Sequence, residues 1–375
     1  MATAPLRLSG IFLILLSNGC LQHHYWCSGS SSLMVTALSE TALITGSTDG
    51  IGVTTARNIL VGNNGVNEVL IHGRDDDRVR AAVISIQKSA ENTSYIKNSN
   101  IATKRNVAVA LPASDISTID GCYELATSVR RHCRDTRSQT PKTCSESAAA
   151  ATATSNLKIL MNNAGVYSNG LIRTPDGLEL TFAVNVLAPF VVTSMLLSTL
   201  LANGSRIETT SNDIGSRIVI ASSLSQSWKL PKDYWEDPQY QKRPYSAHGA
   251  YSESKLLDAM LTIEMAYRLN EVAGIDSSIV TCNCLDPGTV NTKMLLDGWG
   301  SIGMHVDNAL DEAWCCTSSE LENISGQYFV GRERRQASGC AYDSFHRKKL
   351  WQTLCELAPT AAAEWDRAVQ MYSTK

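Results

Sequence analysis

Charged residues are scarce in this chain. Asp, Glu, Lys and Arg make up only 18% of its 375 residues, whereas 43% are hydrophobic, and the formal net charge is −3. Without an excess of basic residues, the chain lacks the electrostatic signature of a nucleic-acid-binding protein. The apolar content is enough for one sizeable core without a second domain. We therefore expect a single α/β domain that faces the cytosol.

Metal-binding motifs are also missing. The eleven cysteines include no CxxC spacing, and neither Cys282 with Cys284 nor Cys315 with Cys316 has the spacing of zinc ligands. We expect no metal site. Scattered cysteines in an odd number instead predict reduced thiols, many of them buried.

The N-terminal region has no apolar run long enough to cross a bilayer. Arg7 is followed by the short run Ile11 to Leu16, with small residues near Ser17 and Gly19. We interpret residues 1–36 as a leader and residues 37–375 as the domain. The leader is a secretory signal or membrane anchor, an organelle-targeting segment, or sequence before a true start at Met34. The first reading predicts the endoplasmic reticulum or membrane association, and the last predicts the cytoplasm.

A glycine-rich turn opens the domain. The segment TGSTDGIG runs from Thr45 to Gly52, after an apolar strand over residues 42–44 and before a helix over residues 53–60. Such a turn lets backbone N–H groups approach a diphosphate, whose charge the helix N-terminus favours. The glycine spacing is GxxxGxG rather than GxGxxG. The alternative is an ordinary, closely packed strand-to-helix turn.

Tyr251 and Lys255 stand four residues apart in YSESK, on one face of a predicted helix. Lowering the pKa of a phenol from about 10 to roughly 7 requires about 4 kcal/mol. One ammonium at about 4 Å supplies that in an effective dielectric of about 20. The motif alone is weak, since both residue types are common on solvated helix faces.

The order of the motifs along the chain carries more information. After the glycine turn come NNAG (Asn162 to Gly165), Asn185, the serines Ser222 and Ser223, YxxxK, and Pro287 with Gly288. In this order the chain resembles the short-chain dehydrogenase/reductase family. Within the family it is similar to the retinol dehydrogenase branch and its polyprenol dehydrogenase-like group, through TPDGLELTFAVNVLAPF, YSAHGAYSESK, DPGTVNT and SGQYFVGRE. The resemblance implies a single doubly wound parallel sheet, the Rossmann fold.

The resemblance also implies catalytic roles. Tyr251 is expected to be the general acid/base, and Lys255 to lower its pKa and hold the nicotinamide ribose. Ser223 is expected to hydrogen-bond the substrate oxygen, with Ser222 as the competing serine, and Asn185 to anchor a water in a proton relay. The alternative for either serine is a hydroxyl satisfied at a strand end.

Cofactor choice depends on the end of the second strand, VLIHGR. Family members that prefer NAD usually carry an acid where Gly73 stands, whereas Arg74 can pair with the 2′-phosphate of NADP. We expect NADP(H) to be preferred, with NAD(H) still usable. The alternative is that Arg74 pairs with Asp75, Asp76 or Asp77, which are expected to start a helix. The expected cofactor contacts are Gly46, Ser47, Thr48, Asp49, Gly50, Ile51, Gly52, Arg74, Asp115, Ile116, Asn163, Tyr251, Lys255, Pro287, Gly288, Val290 and Thr292.

These features predict hydride transfer between a nicotinamide cofactor and an alcohol or carbonyl compound. A lipophilic substrate of retinoid, polyprenoid or steroid type is expected, because the apolar segment Met294 to Met304 and the aromatic segment before Tyr251 are suited to wall a hydrophobic groove. The alternatives are a non-catalytic NADPH-binding scaffold and a protochlorophyllide-type reductase. An extended-branch epimerase fits less well, since its usual glycine spacing and larger C-terminal domain are missing.

Two segments depart from the compact family pattern. Residues 137–156 are low in complexity, and residues 203–215 are a lesser lengthening. Both are expected to be surface excursions from the rim of the sheet. A homodimer is one assembly that the family pattern allows.

Overall fold

The computed structural model describes residues 40–62, 64–96, 106–138, 157–205 and 215–373. The leader, most of the low-complexity segment 137–156 and most of the lengthened segment 203–215 lie outside these residues. Within them, the eight strands are β1 (Glu40–Ile44), β2 (Val66–Ile71), β3 (Val107–Ala110), β4 (Leu157–Asn162), β5 (Ser216–Ala221), β6 (Val280–Asp286), β7 (Tyr328–Val330) and β8 (Glu333–Arg335). The helices are α1 (Gly50–Val61), α2 (Asp76–Ile96), α3 (Ile119–Ser138), α4 (Leu180–Phe182), α5 (Ala188–Gly204), α6 (Ala247–Tyr267), α7 (Lys293–Gly298), α8 (Asp311–Thr317), α9 (Ser344–Leu357) and α10 (Pro359–Tyr372).

One sheet carries the fold, in the order β3-β2-β1-β4-β5-β6-β7-β8. The pairings from β3 to β7 are parallel, and only the last pair, β7 with β8, is antiparallel. The doubly wound parallel sheet is therefore confirmed, with a short antiparallel edge added. The strand order reverses between β1 and β4, and ligands of such sheets bind beside that point, at the carboxyl ends of the strands.

Both faces of the sheet are covered by helices. Successive side chains of a strand point to opposite faces, so Leu43 of β1 packs in one apolar cluster, whereas Ala42 and Ile44 pack in the other. The first cluster includes residues of α3, α5, α6, α9 and α10, and the second includes residues of α1, α2 and α8. Burial on both faces fits the apolar runs within the central strands, such as Ile159 to Met161 in β4 and Ile218 to Ala221 in β5.

The most apolar helix lies inside the first cluster. Residues 180–204 form α4, a π-helical turn (Ala183–Leu187) and α5, without a break. By length and composition this stretch could span a membrane, but 94% of its most apolar window is buried inside the protein. It is a core helix. The π turn carries Asn185, and such turns often occur at functional sites.

The described cysteines match the prediction of reduced thiols, many of them buried. Six of the eight are buried, and none of the eight is in a disulfide. Cys282 and Cys284 lie on β6, and Cys315 and Cys316 on α8. Burial raises the pKa of Cys315 to about 12 and also raises that of Cys316 well above its usual value, so these thiols are uncharged. Among the described residues, no cluster of potential metal ligands is found.

Candidate active site

The glycine turn follows β1 and leads into α1. Gly46 has a φ of 65°, a conformation that favours glycine. A Cβ on Gly52 would lie 2.5 Å from the Asn163 amide nitrogen and 2.6 Å from the Gly46 carbonyl oxygen, so there is no room for a side chain. Asp49 caps α1 by accepting a hydrogen bond from the Gly50 N–H at 2.8 Å. The turn thus presents backbone rather than side chains to a ligand, as diphosphate binding requires.

A buried histidine that sequence reasoning missed holds this turn in place. His72 follows β2 and accepts a hydrogen bond from the Gly46 N–H at Nδ1, at 3.1 Å, and its Nε2 lies 3.1 Å from the Ser114 carbonyl oxygen. Because Nδ1 accepts, the proton belongs on Nε2. Burial lowers the pKa of His72 to about 4, so the ring is neutral at physiological pH. No sequence motif marks it, since its partners come from β1 and the loop after β3.

Ser47 differs from the expectation. Its hydroxyl donates to the Ile44 carbonyl oxygen at 2.8 Å and accepts from the His72 N–H at 3.0 Å. The residue is fully buried, and its side chain joins two strand ends instead of facing the ligand cavity. The hydrogen bond from His72, a residue distant in sequence, fixes this direction.

The predicted residues otherwise converge on one cavity of about 780 Å³ at the carboxyl ends of β1, β4, β5 and β6. It is lined by Gly46, Thr48, Asp49, Gly50, Ile51, Gly52, Arg74, Asp115, Ile116, Asn163, Ser223, Tyr251, Lys255, Pro287, Gly288, Val290 and Thr292. Asn185, like Ser47, is a predicted site residue that does not line the cavity. Its amide donates to the Val166 carbonyl oxygen at 3.1 Å and to the Ser254 hydroxyl at 2.9 Å, and its oxygen accepts from the Val166 N–H at 2.8 Å. Asn185 therefore fixes the loop after NNAG, and its role in a relay stays a prediction.

The two serines after β5 have different surroundings. Ser222 is buried, and its hydroxyl donates to the Lys255 carbonyl oxygen at 2.8 Å. Ser223 lines the cavity with Tyr251, and its side chain acts to lower the pKa of Tyr251. The geometry favours Ser223 as the substrate-facing serine.

Tyr251 and Lys255 lie together in the buried half of α6. The Lys255 ammonium is 5.7 Å from the centre of the Tyr251 ring. Its Nζ donates to the Ala221 carbonyl oxygen at 2.7 Å and to Asp258 at 2.9 Å. The pKa of Tyr251 is raised, because burial outweighs the opposing effects of Lys255 and Ser223. Lys255 acts on this pKa in the predicted direction and lowers it, whereas burial and the neighbouring Asp258 and Asp286 raise it.

Two arginines stand at the far end of the cavity, which we call the nucleotide end (residues 46–52 and 72–78). Arg74 is exposed and lines the cavity, and no hydrogen bond or ion pair with Asp75, Asp76 or Asp77 is found for it in the described structure. Arg78, which the sequence did not single out, also lines the cavity and pairs with Asp49 at 3.0 Å. Asp76 and Asp77 begin α2, as expected.

Gly73 adds a steric constraint at this end. A Cβ on Gly73 would lie 2.4 Å from the Thr48 methyl carbon. The acidic side chain that usually holds the ribose in NAD-dependent relatives would therefore not fit without a shift of Thr48.

The opposite part, which we call the substrate end (Val166, Tyr251 and residues 290–302), is apolar. Met294, Leu295, Trp299 and Ile302 line the cavity. No residue of α7 is buried, so this segment is not an ordinary core helix. Its two ends are tied by Asn291, whose amide donates to the Gly303 carbonyl oxygen at 2.6 Å and whose oxygen accepts from the Gly303 N–H at 2.8 Å. The predicted covering segment is thus a tethered loop over the cavity.

Aromatic rings surround Tyr251 at this end. The Trp299 ring lies 5.5 Å and the Tyr167 ring 5.8 Å from the Tyr251 ring, centre to centre. The Tyr167 hydroxyl lies 2.9 Å from His248 Nδ1. Tyr167 was missed, although its position directly after NNAG and Val166 was a usable signal.

The aromatic segment before Tyr251 does not wall the cavity. None of residues 226–250, all of which are described, is among its lining. Tyr234 and Tyr240 are buried, and the Arg243 guanidinium lies 4.3 Å from the Tyr240 ring while pairing with Glu253 at 3.2 Å. The segment instead packs on the outer side of α6, and this part of the groove prediction was wrong.

Comparisons with known proteins agree with this geometry. No protein-family model matches the chain. Polyprenol dehydrogenase from Homo sapiens is 26% identical over 329 residues, which cover 84% of this chain and 84% of that protein. Retinol dehydrogenase 14 from Homo sapiens is 28% identical over 334 residues, covering 83% and 84%. The NADPH-bound carbonyl reductase from chicken fatty liver shares the fold, with a TM-score of 0.51 at 20% identity over 80% of this chain and 94% of that one.

The chain is similar to retinol and polyprenol dehydrogenases of the short-chain dehydrogenase/reductase family. It is retinol dehydrogenase-like and is an NAD(P)-dependent oxidoreductase. The non-catalytic alternative loses its support, because the relatives are named as dehydrogenases.

Proposed function

We propose that the protein transfers a hydride between NADP(H) and a lipophilic alcohol or its aldehyde or ketone, with Tyr251 as the general acid/base. One observation carries the proposal: a single cavity holds the glycine turn, Ser223, Tyr251 and Lys255 at one end of the sheet and has an apolar mouth. When bound, the nicotinamide cofactor supplies or accepts the hydride.

The nucleotide end fits a phosphorylated dinucleotide. The glycine turn and the N-terminus of α1 suit the diphosphate, and Gly52 leaves backbone exposed where a Cβ would clash. Arg74 is exposed beside Gly73 and has no acidic partner among the described residues, so it is available for paired bonds to a 2′-phosphate. Arg78 offsets the charge of Asp49, which would otherwise repel that phosphate. These features support NADP(H) over NAD(H).

Tyr251 moves the proton at its hydroxyl. Ser223, which lines the cavity with Tyr251 and acts on its pKa, is placed to orient the substrate oxygen beside the Tyr251 hydroxyl. Lys255 has three ammonium donors, of which two are bound to Ala221 and Asp258, and it lines the cavity with the remaining one. The Lys255 charge favours the phenolate that forms when Tyr251 gives up its proton.

The substrate end supports a lipophilic substrate. Relatives named as polyprenol and retinol dehydrogenases indicate this class. The apolar side chains of the tethered loop, with Trp299 over Tyr251, would bury a hydrocarbon chain beside the reacting carbon. A mostly apolar pocket with a few converging polar groups is typical of small-molecule sites.

The test is a turnover screen of purified protein with retinoid, polyprenoid and steroid carbonyls and their alcohols. Each is paired with NADP(H) and with NAD(H), and the Tyr251→Phe variant serves as the blank. We expect turnover of a lipophilic carbonyl that is faster with NADPH than with NADH. Turnover by the blank, or NADH as the better donor, would reject the assigned acid or the assigned cofactor.

A further inference from the structure

A buried carboxylate accompanies Lys255. Asp258 lies three residues further along α6, and its Oδ2 accepts a hydrogen bond from Lys255 Nζ at 2.9 Å, with side-chain exposures of 0% and 6%. Its other oxygen, Oδ1, is buried and has no hydrogen-bond partner within the described ranges. An unpaired buried acceptor costs about 1–3 kcal/mol. Stability alone therefore does not explain the acid, since buried ion pairs are often no better than apolar packing.

The pair keeps Lys255 charged and in place. Burial disfavours the ammonium, but the nearby Asp258 and Tyr251 outweigh it, so the pKa of Lys255 is raised. Burial raises the pKa of Asp258 to about 6, which leaves it ionised at neutral pH. Lys255 and Asp258 together then present a dipole to Tyr251 instead of a full positive charge.

Other titratable groups face this pair from the neighbouring elements. Asp286 at the end of β6 acts on Tyr251 in the same direction as Asp258, and Glu312 of α8 acts on Lys255. Cys284 of β6 also faces Asp258, and burial raises the pKa of its thiol so that it stays neutral. Among these groups, Asp258 is the one hydrogen-bonded to Lys255.

We propose that Asp258 is a positioning residue that offsets the charge of Lys255 and thereby keeps Tyr251 protonated, as a proton donor. The proposal rests on the proposed function and adds which direction of the hydride transfer the site favours. In reduction, the carbonyl carbon takes the hydride of the reduced nicotinamide and the carbonyl oxygen takes the Tyr251 proton. Alcohol oxidation needs the Tyr251 phenolate, so this site favours reduction at neutral pH.

The direct test is an ultraviolet titration of tyrosinate in the cofactor-free protein, taken as the difference between each protein and the same protein with Tyr251→Phe. We expect a wild-type midpoint at or above about pH 10, the value of an ordinary tyrosine. Asp258→Asn should lower it by about one to two pH units. The control is Glu264→Gln, which neutralises another buried carboxylate of α6, paired with Arg268 at 2.8 Å, and should leave the midpoint unchanged.

A wild-type midpoint near pH 7 would overturn the proposal, and this result needs no Asp258 variant to fold. An unchanged or raised midpoint in Asp258→Asn would also overturn it. In kinetics, the pH profile of kcat/KM for alcohol oxidation should shift to lower pH in Asp258→Asn but not in Glu264→Gln. If no alcohol or carbonyl is turned over at all, the proposed function fails, while the titration still decides the role of Asp258.

Discussion

The nucleotide end of the cavity is held by buried hydrogen bonds, whereas the substrate end is walled by half-exposed apolar side chains. At the first, Ser47 and His72 are buried and fix the glycine turn from two strands. At the second, α7 has no buried residue, and Leu296 and Ile302 are 48% and 68% exposed. Elements with few buried contacts open most easily. A preformed cofactor site thus stands beside a substrate site that can adapt.

The largest effect on turnover is expected at Tyr251, where the nucleotide end and the substrate end meet. Tyr251→Phe should lower kcat by about 10²–10⁴-fold, because it removes only the proton donor. Cofactor affinity, measured by fluorescence titration, should change little. Tyr267→Phe on the exposed side of the same helix is the control and should keep normal turnover. Near-normal kcat in Tyr251→Phe on any substrate would remove Tyr251 from the mechanism.

Lowering the pH should reduce the free energy of unfolding through His72, which holds the glycine turn of the nucleotide end. Its pKa falls from 6.5 to about 4 on folding. The unfolded chain therefore binds a proton between these values that the folded chain does not, and stability is lost as pH falls through this window. The loss attributable to His72 is about 3 kcal/mol.

The measurement is the free energy of unfolding against pH for wild type and His72→Gln. Asp258 and Glu312, whose pKa values burial raises to about 6 and about 7, oppose this slope in both proteins, so only the difference between the curves reports His72. Below pH 6.5 that difference should shrink as the pH falls. Parallel curves for His72→Gln would mean that its ring is not held neutral.

The next largest effect is expected on the relative affinities for NADP and NAD. Arg74→Ala should weaken NADP binding by about 1.5–3 kcal/mol, because a charge-assisted bond to the 2′-phosphate is lost. Binding of NAD should barely change. Arg80→Ala, an exposed arginine of the same helix region paired with Asp77, is the matched control. Equal losses of affinity for NADP and for NAD would show that Arg74 does not bind the 2′-phosphate.

The smallest effect on folding is expected from the leader. Deleting residues 1–33 should leave a folded, cofactor-binding protein with an altered cellular location, because β1 begins at Glu40. Solubility, cofactor titration and fluorescence microscopy check this. An insoluble or cofactor-free product would show that the leader belongs to the fold.

Sequence reasoning succeeded where local backbone requirements determine the residue. Gly46 needs a positive φ, Gly52 has no space for a Cβ, and Tyr251 and Lys255 share a helix face by their spacing. The sheet followed from the alternation of apolar strands and helices. These features depend on neighbours in sequence, which a single chain displays.

Sequence reasoning failed where the direction or the pKa of a side chain is determined by a residue distant in the chain. The direction of Ser47 is set by His72, and the pKa of Tyr251 depends on burial and on Asp258 and Asp286 as well as on Lys255. An aromatic segment such as the one holding Tyr234 and Tyr240 has the same composition whether it packs in the core or walls a groove. Contacts visible in the fold, such as the Arg243–Glu253 pair and the hydrogen bond from the Tyr240 hydroxyl to Glu253, place it on α6.

The most direct test of the central claim is the dependence of kcat/KM on chain length, with NADPH and a homologous series of aldehydes. If the loop over Tyr251 forms a lipid groove, each added CH₂ should contribute up to about 0.8 kcal/mol of transition-state binding until the groove is full. The series should therefore rise and then level off, and the Tyr251→Phe blank should stay flat. Equal kcat/KM for short, water-soluble aldehydes and for their long-chain analogues would contradict the lipophilic substrate and leave only a general oxidoreductase.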